Sequence, residues 1–209
     1  MVDKLPSKGT FMSELKNIKS ICIFCGSSHG VDPLFAQKAG ELARLLAGNG
    51  VRIVYGGGSV GLMGIVASEA MSAGGEVIGV IPESLAAREL AQEQITELRV
   101  VQSMHERKAM MAELSQGFIV LPGGIGTMEE FFEVFTWLQL GIHDKPVALY
   151  NTGEYYDGLK RFLLQMVKQQ FLKRETYQEL IIETVPENLL TRLEEKASKS
   201  SDFLKKDLS

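Results

Sequence analysis

The chain of 209 residues predicts an α/β fold: a single-domain, doubly wound, mostly parallel sheet of Rossmann-like form with helices on both faces. Three observations carry that expectation. Strand patterns and helix patterns alternate along almost the whole sequence. Glycine-rich or polar loops follow three of the strand patterns and lead into helices, which is where such sheets bind ligands. The length suits one core of ordinary size, and no linker or second domain is visible.

Residues 1–18 read as a flexible lead-in. A first strand is expected over 20–25, ending in Gly26-Ser27-Ser28-His29-Gly30. Asp32-Pro33 caps a helix whose apolar positions Phe35, Leu42, Leu45 and Leu46 run to the stop Gly48-Asn49-Gly50. A second strand over 51–55 enters Gly56-Gly57-Gly58-Ser59-Val60-Gly61-Leu62-Met63-Gly64 and then a helix to about Ala73. A third strand over 76–81 stops at Pro82, and 83–94 reads as part loop, part short helix. After a short strand at 98–101, Ser103 caps a helix over 104–115, with Glu106 completing a capping box.

The next stretch organises the chain. Phe118 to Leu121 is an apolar run of the kind a buried strand shows. Pro122, Gly123, Gly124 and Gly126 break it, and a long helix is expected from about Thr127, with Glu129 and Glu130 in its first turn. Strand, glycine turn and helix start together present backbone N–H groups and a positive helix end to an anion. Strands at 146–150 and 181–182 and helices at 155–171 and 186–196 complete a domain spanning 19–196, and 197–209 reads as a polar tail.

Bulk properties exclude several classes. A net charge of −4 offers no basic excess to neutralise a phosphate backbone, so no nucleic-acid partner is expected. No run approaches the ~20 apolar residues of a membrane span, and the polar N-terminus has no signal-peptide core, so a cytoplasmic protein is expected. Cys22 and Cys25 lie inside a strand, on opposite faces, and read as core residues. His29, His105 and His143 are scattered, with no acid cluster beside them, and no metal site is expected.

Gly56-x-Gly58-x-x-Gly61 matches a dinucleotide fingerprint, yet it follows the second strand, where such domains carry it on the first. Arg107 and Lys108 stand near a helix start, where cations oppose the dipole, and an anion or a polarised leaving group would account for them. The helix carrying Phe131, Phe132, Phe135, Trp137 and Leu140 is apolar on more than one side, which calls for either complete burial inside the subunit or a homodimer seam, and the seam is the favoured expectation.

Pro122-Gly-Gly-Ile-Gly-Thr-Met-Glu-Glu130 resembles the PGGxGTxxE motif of the LONELY GUY family of cytokinin riboside monophosphate phosphoribohydrolases, often described as possible lysine decarboxylases. Cys25-Gly26-Ser27-Ser28, the 56–64 loop, Val77 to Pro82, Arg88-Glu89 and Met104-His105-x-Arg107-Lys108 extend the resemblance over about 20–185. It implies a homodimer that hydrolyses the N-glycosidic bond of a nucleoside 5′-monophosphate to free base and ribose 5-phosphate, without a cofactor. Arg107 and Glu130 match the catalytic pair. Glu89, Lys108, the loop Gly124, Ile125, Gly126, Thr127, Met128, Glu129, and Thr136 match substrate-binding positions. Gly123, Gly26, Ser27, Gly57 and Gly58 join them as the rest of a cradle built from three loops. Ala87 stands where the family's plant members have Pro, which bears on the choice of base.

Three other readings compete, one of them an NAD-dependent dehydrogenase resting on the Gly56-x-Gly58-x-x-Gly61 fingerprint. A non-catalytic nucleotide-binding or carrier module would use the same cradle without Glu130 and Arg107 as a pair. A pyridoxal-phosphate decarboxylase finds no lysine that stands out as a Schiff-base partner, and the chain is short for that class.

Overall fold

The computed structural model describes residues 15–86 and 91–206, with side chains to residue 199. Seven strands form one all-parallel sheet in the order β4-β3-β2-β1-β5-β6-β7. They are β1 (Ser20–Phe24), β2 (Arg52–Tyr55), β3 (Val77–Pro82), β4 (Glu97–Val101), β5 (Phe118–Val120), β6 (Val147–Tyr150) and β7 (Ile181–Glu183). The order reverses at β1, which pairs with β2 on one side and β5 on the other. Crossover connections diverge there and open a crevice at the carboxyl ends of β1 and β5.

The crossovers are α1 (Pro33–Gly48), α2 (Gly61–Ser72), the short α3 (Glu83–Ala86), α4 (Met104–Glu113), α5 (Ile125–Gln139), and α6 (Asp157–Lys168) with α7 (Arg174–Glu179), and α8 (Pro186–Lys206) follows the last strand. Period-two alternation in the strands sorts side chains between two cores. Ile21, Ile23 and Cys25 join Leu42, Leu62 and Leu189 on the α1, α2 and α8 side. Cys22 and Phe24 join Met111, Phe131 and Leu163 on the α4, α5 and α6 side. Both cysteines are free and buried, and burial pushes both thiols up, away from thiolate chemistry.

Several elements differ from the sequence expectation. Helix α5 begins at Ile125, so Glu129 and Glu130 lie in its second turn, not its first. Proline and glycine set that boundary: once Gly124 serves as the N-cap, Ile125 is already helical. The single helix expected over 155–171 is α6, shorter at both ends, with a 3-10 turn at Thr152–Glu154 before it, and α7 had no expected counterpart. Helix α8 continues to Lys206 through the expected tail. Leu15 and Ile18, within the expected lead-in, are buried in the core. Their backbone is held by Glu194 of α8, which accepts N–H bonds from Lys16, Asn17 and Ile18 at 2.8, 2.8 and 3.2 Å. No helix among the described residues is long and apolar enough to cross a membrane.

Candidate active site

Three loops meet at the crevice and fasten one another through their backbones. The Gly26 N–H donates to the Pro122 carbonyl at 3.1 Å, and the Leu62 N–H donates to the Gly26 carbonyl at 3.0 Å. Such contacts require bare backbone. A Cβ on Gly123 would lie 2.1 Å from Thr127 Oγ1 and 2.8 Å from the Gly26 nitrogen. Gly61, at φ +60°, would place a Cβ 2.2 Å from the Ser27 carbonyl carbon. The glycines of this sequence are therefore first of all the means by which three loops pack into one rim.

A cavity of about 340 Å³ opens below that rim. Its walls include Gly26 and Ser27 from the β1 loop, Gly124 to Thr127 from the start of α5, and Glu129, Glu130 and Arg107. Gly124 caps α5 without a side-chain oxygen, so the first-turn N–H groups of α5 have no side-chain acceptor. These are the donors an anion needs. Glu130 follows Gly126 by one helical turn, on the same face and roughly 6 Å along the axis.

Arg107 is 6% exposed. Its Nε donates to the Val80 carbonyl at 3.1 Å and its Nη2 to the Gly56 carbonyl at 3.0 Å. The guanidinium thus caps the ends of β3 and β2 while its charge lines the cavity. A guanidinium has five N–H groups, so these two bonds do not exhaust it. The arginine answers the question raised by a cation at a helix start: strand-end carbonyls compensate it.

Lys108 behaves differently. It bonds Glu129 at 2.6 Å and Glu133 at 2.9 Å, tying α4 to α5, and it does not line the cavity. Burial pulls its ammonium pKa down, and the two carboxylates outweigh that and hold it above its ordinary value. Gly57 and Gly58 also lie outside the cavity wall. The Gly57 carbonyl accepts from the Gln92 N–H at 3.0 Å, and Gly58 bridges to Ala91. Met128 lies outside the wall as well, packed toward the core. Thr136 is exposed, ten residues and roughly 15 Å along α5 from Gly126. Glu89 lies outside the described residues. At the start of α2 the Leu62 N–H is engaged by the Gly26 carbonyl and Gly61 packs against Ser27, so this part of the glycine fingerprint serves loop packing.

The cavity also has a wall that the motif reading passed over. Met63, Met104 and Met111, with Leu85, supply soft apolar surface. Met63 and Met104 stand inside quoted motifs, but their side chains carry no chemical signature that spacing could flag.

The profile of the family described as "Possible lysine decarboxylase" matches residues 63–193. The chain is 44% identical over 190 residues to the cytokinin riboside 5′-monophosphate phosphoribohydrolase LOG3 of Arabidopsis thaliana, covering 91% of this chain and 88% of that one. It is 47% identical over 175 residues to LOG4 of the same plant, covering 84% and 81%. Among solved structures, the molybdenum cofactor binding protein from Rippkaea orientalis superposes with a TM-score of 0.63 at 22% identity, covering 84% of this chain and 95% of that one. The Moco carrier protein of Chlamydomonas reinhardtii gives 0.63 at 20% identity, covering 86% and 97%. At those identities the likeness is one of fold. With close to half its residues shared with curated phosphoribohydrolases over most of both chains, the chain belongs to the LONELY GUY family, whose profile bears the older lysine decarboxylase description.

Proposed function

We propose that the protein hydrolyses the N-glycosidic bond of a nucleoside 5′-monophosphate of the cytokinin riboside or AMP type, releasing the free base and ribose 5-phosphate. One observation carries the reading. An anion-binding helix start and a carboxylate one turn below it face the same cavity as a buried arginine. That spacing is comparable to the span between the 5′-phosphate and the anomeric carbon of a nucleotide.

The 5′-phosphate accepts from the amides at the start of α5, with Thr127 and Ser27 beside it. Remote binding then holds the anomeric carbon against Glu130. As the carbon–nitrogen bond lengthens, the sugar gains oxocarbenium character, and the carboxylate stabilises it and orients a water. The water oxygen bonds to the anomeric carbon, the bond pair leaves with the base, and the proton lost by the water balances the one the base takes up. Arg107 steadies the charge on the departing base. The three methionines and Leu85 give a flat base an apolar surface. The reaction needs no redox change and calls for no cofactor.

We further propose that the active form is a homodimer formed along α5. Ile125, Phe132, Thr136 and Leu140 lie on one exposed stripe of that helix, and Ile125 and Leu140 are 87% and 65% exposed. A second copy on this stripe would cover the apolar residues and carry Thr136 toward a cavity it does not reach within its own subunit.

The test is chromatographic release of base from AMP and isopentenyladenosine monophosphate, with Glu130→Ala alongside. Release by wild type, lowered at least about a hundredfold in the variant, supports the hydrolase. Equal release by both would remove Glu130 from the mechanism, and no release with retained nucleotide binding would leave a binding module.

A further inference from the structure

We infer that Tyr155, outside every motif discussed above, is a positioning residue that sets the orientation of the phosphate-binding peptide. The inference rests on the proposed phosphate site at the start of α5.

The loop from Leu121 to Gly124 is held from behind by two consecutive tyrosines. Tyr156 donates its hydroxyl to the Leu121 carbonyl and Tyr155 donates its hydroxyl to the Gly123 carbonyl, each at 2.6 Å. The two bonds differ in setting. Tyr156 is buried, and burial pushes its hydroxyl pKa up, so it remains a donor throughout. Tyr155 is 44% exposed and lines a second cavity, of about 260 Å³, that shares Gly26, Ser27 and Gly124 with the first.

The segment before the tyrosines is shaped to deliver them. Gly153 and Glu154 both take positive φ, 57° and 60°. Asn151 accepts from the Tyr156 N–H at 2.7 Å and donates to Asp157 at 2.9 Å. Phe35 of α1 meets the Tyr155 ring edge-on at 5.6 Å, which fixes the direction of the hydroxyl.

The bond matters because of the peptide it grips. The unit between Gly123 and Gly124 has no side chain at either end, so little steric cost opposes its flipping. In a planar trans peptide the C=O and the N–H point in opposite directions. With the carbonyl held by Tyr155, the Gly124 N–H points away from the tyrosine, and Gly124 is a wall residue of the cavity that holds Glu130 and Arg107. Flipped, the same unit would set a carbonyl oxygen against the phosphate. The hydroxyl therefore pre-organises an anion donor, and its acceptor's polarisation strengthens that donor.

Tyr155→Phe keeps the ring contacts with Phe35 and with Tyr156, the latter at 5.0 Å, and deletes only the hydroxyl. The expected result is a rise of about five- to tenfold in KM for the nucleotide, the cost of one hydrogen bond. The Kd for ribose 5-phosphate, measured calorimetrically, should rise by the same factor, with kcat within about twofold and the melting temperature nearly unchanged. A merely structural tyrosine would instead lower the melting temperature and the active fraction, leaving KM and Kd as they were. Unchanged KM and Kd, or a fall in kcat alone, would overturn the inference. If wild type binds ribose 5-phosphate but turns over no nucleotide, the hydrolase reading falls while the calorimetric comparison still decides Tyr155. If wild type binds no phosphate-bearing ligand, both fall.

Discussion

Arg107 shows how one side chain serves structure and chemistry at once. Its sequence position, four residues into a helix, exposed an electrostatic cost and so pointed to a hidden acceptor. The acceptors are the carbonyls of Val80 and Gly56, 27 and 51 residues away, at the ends of two strands. Arg107→Ala should therefore do more than stop turnover. It should also lower stability by about 1–3 kcal/mol, because two buried carbonyls lose their donor. Arg107→Lys keeps the charge but loses the fork that reaches both carbonyls. It should recover part of the stability and little of the activity, as denaturant melts and base release would show. Undiminished stability in the alanine variant would mean that other donors replace the guanidinium. The contrast with Lys108 is instructive. The two cations are adjacent in sequence, yet Lys108 spends its charge on Glu129 and Glu133, and only the fold separates the residue that lines the cavity from the one that braces it.

Among the elements, the strands were legible because most are buried parallel strands, short apolar runs with glycine or proline at their ends, while β4 at the sheet edge is of mixed burial. Helix ends were less so, since they follow caps and tertiary contacts. The chain before β1 illustrates this. Its last residues lack any periodic pattern, yet Leu15 and Ile18 are core residues in a segment that Glu194 holds by the backbone N–H groups of Lys16, Asn17 and Ile18. Burial pushes the Glu194 carboxyl pKa up, but the N–H groups of Asn17, Lys16 and Ile18 outweigh this and hold it below its ordinary value of 4.5. The stability it contributes is present above pH 4.5 and is lost as the pH falls through the lower folded value. Thermal melts of wild type and Glu194→Gln should differ near neutral pH and converge as the pH drops below 4.5. A gap that stays constant with pH would show that the carboxylate's charge plays no part in docking this segment.

For the whole molecule, the dimer proposed along the exposed stripe of α5 would connect assembly to activity. Two chains of 23.0 kDa give a dimer of 2 × 23.0 = 46.0 kDa. Phe132→Glu should shift the sedimenting mass from the dimer to the single chain, with activity lost although the cavity of each subunit keeps Glu130 and Arg107. A variant that is monomeric and fully active would place Thr136 outside the site and the stripe outside the working interface. The sequence by itself determined the alternation of strands with most of the helices and the crevice at the carboxyl ends, from local periodicity and from glycine and proline punctuation, while the pairing of Glu130 with Arg107 came from the resemblance to a family whose motifs they match. Only the tertiary structure decided that Gly57 and Gly58 turn from the cavity, that Lys108 is engaged by α5, and that Tyr155 grips the peptide of Gly123. The physical reason is distance along the chain: the tyrosine hydroxyl and its carbonyl are 32 residues apart, and no local pattern encodes which way a glycine peptide will be held.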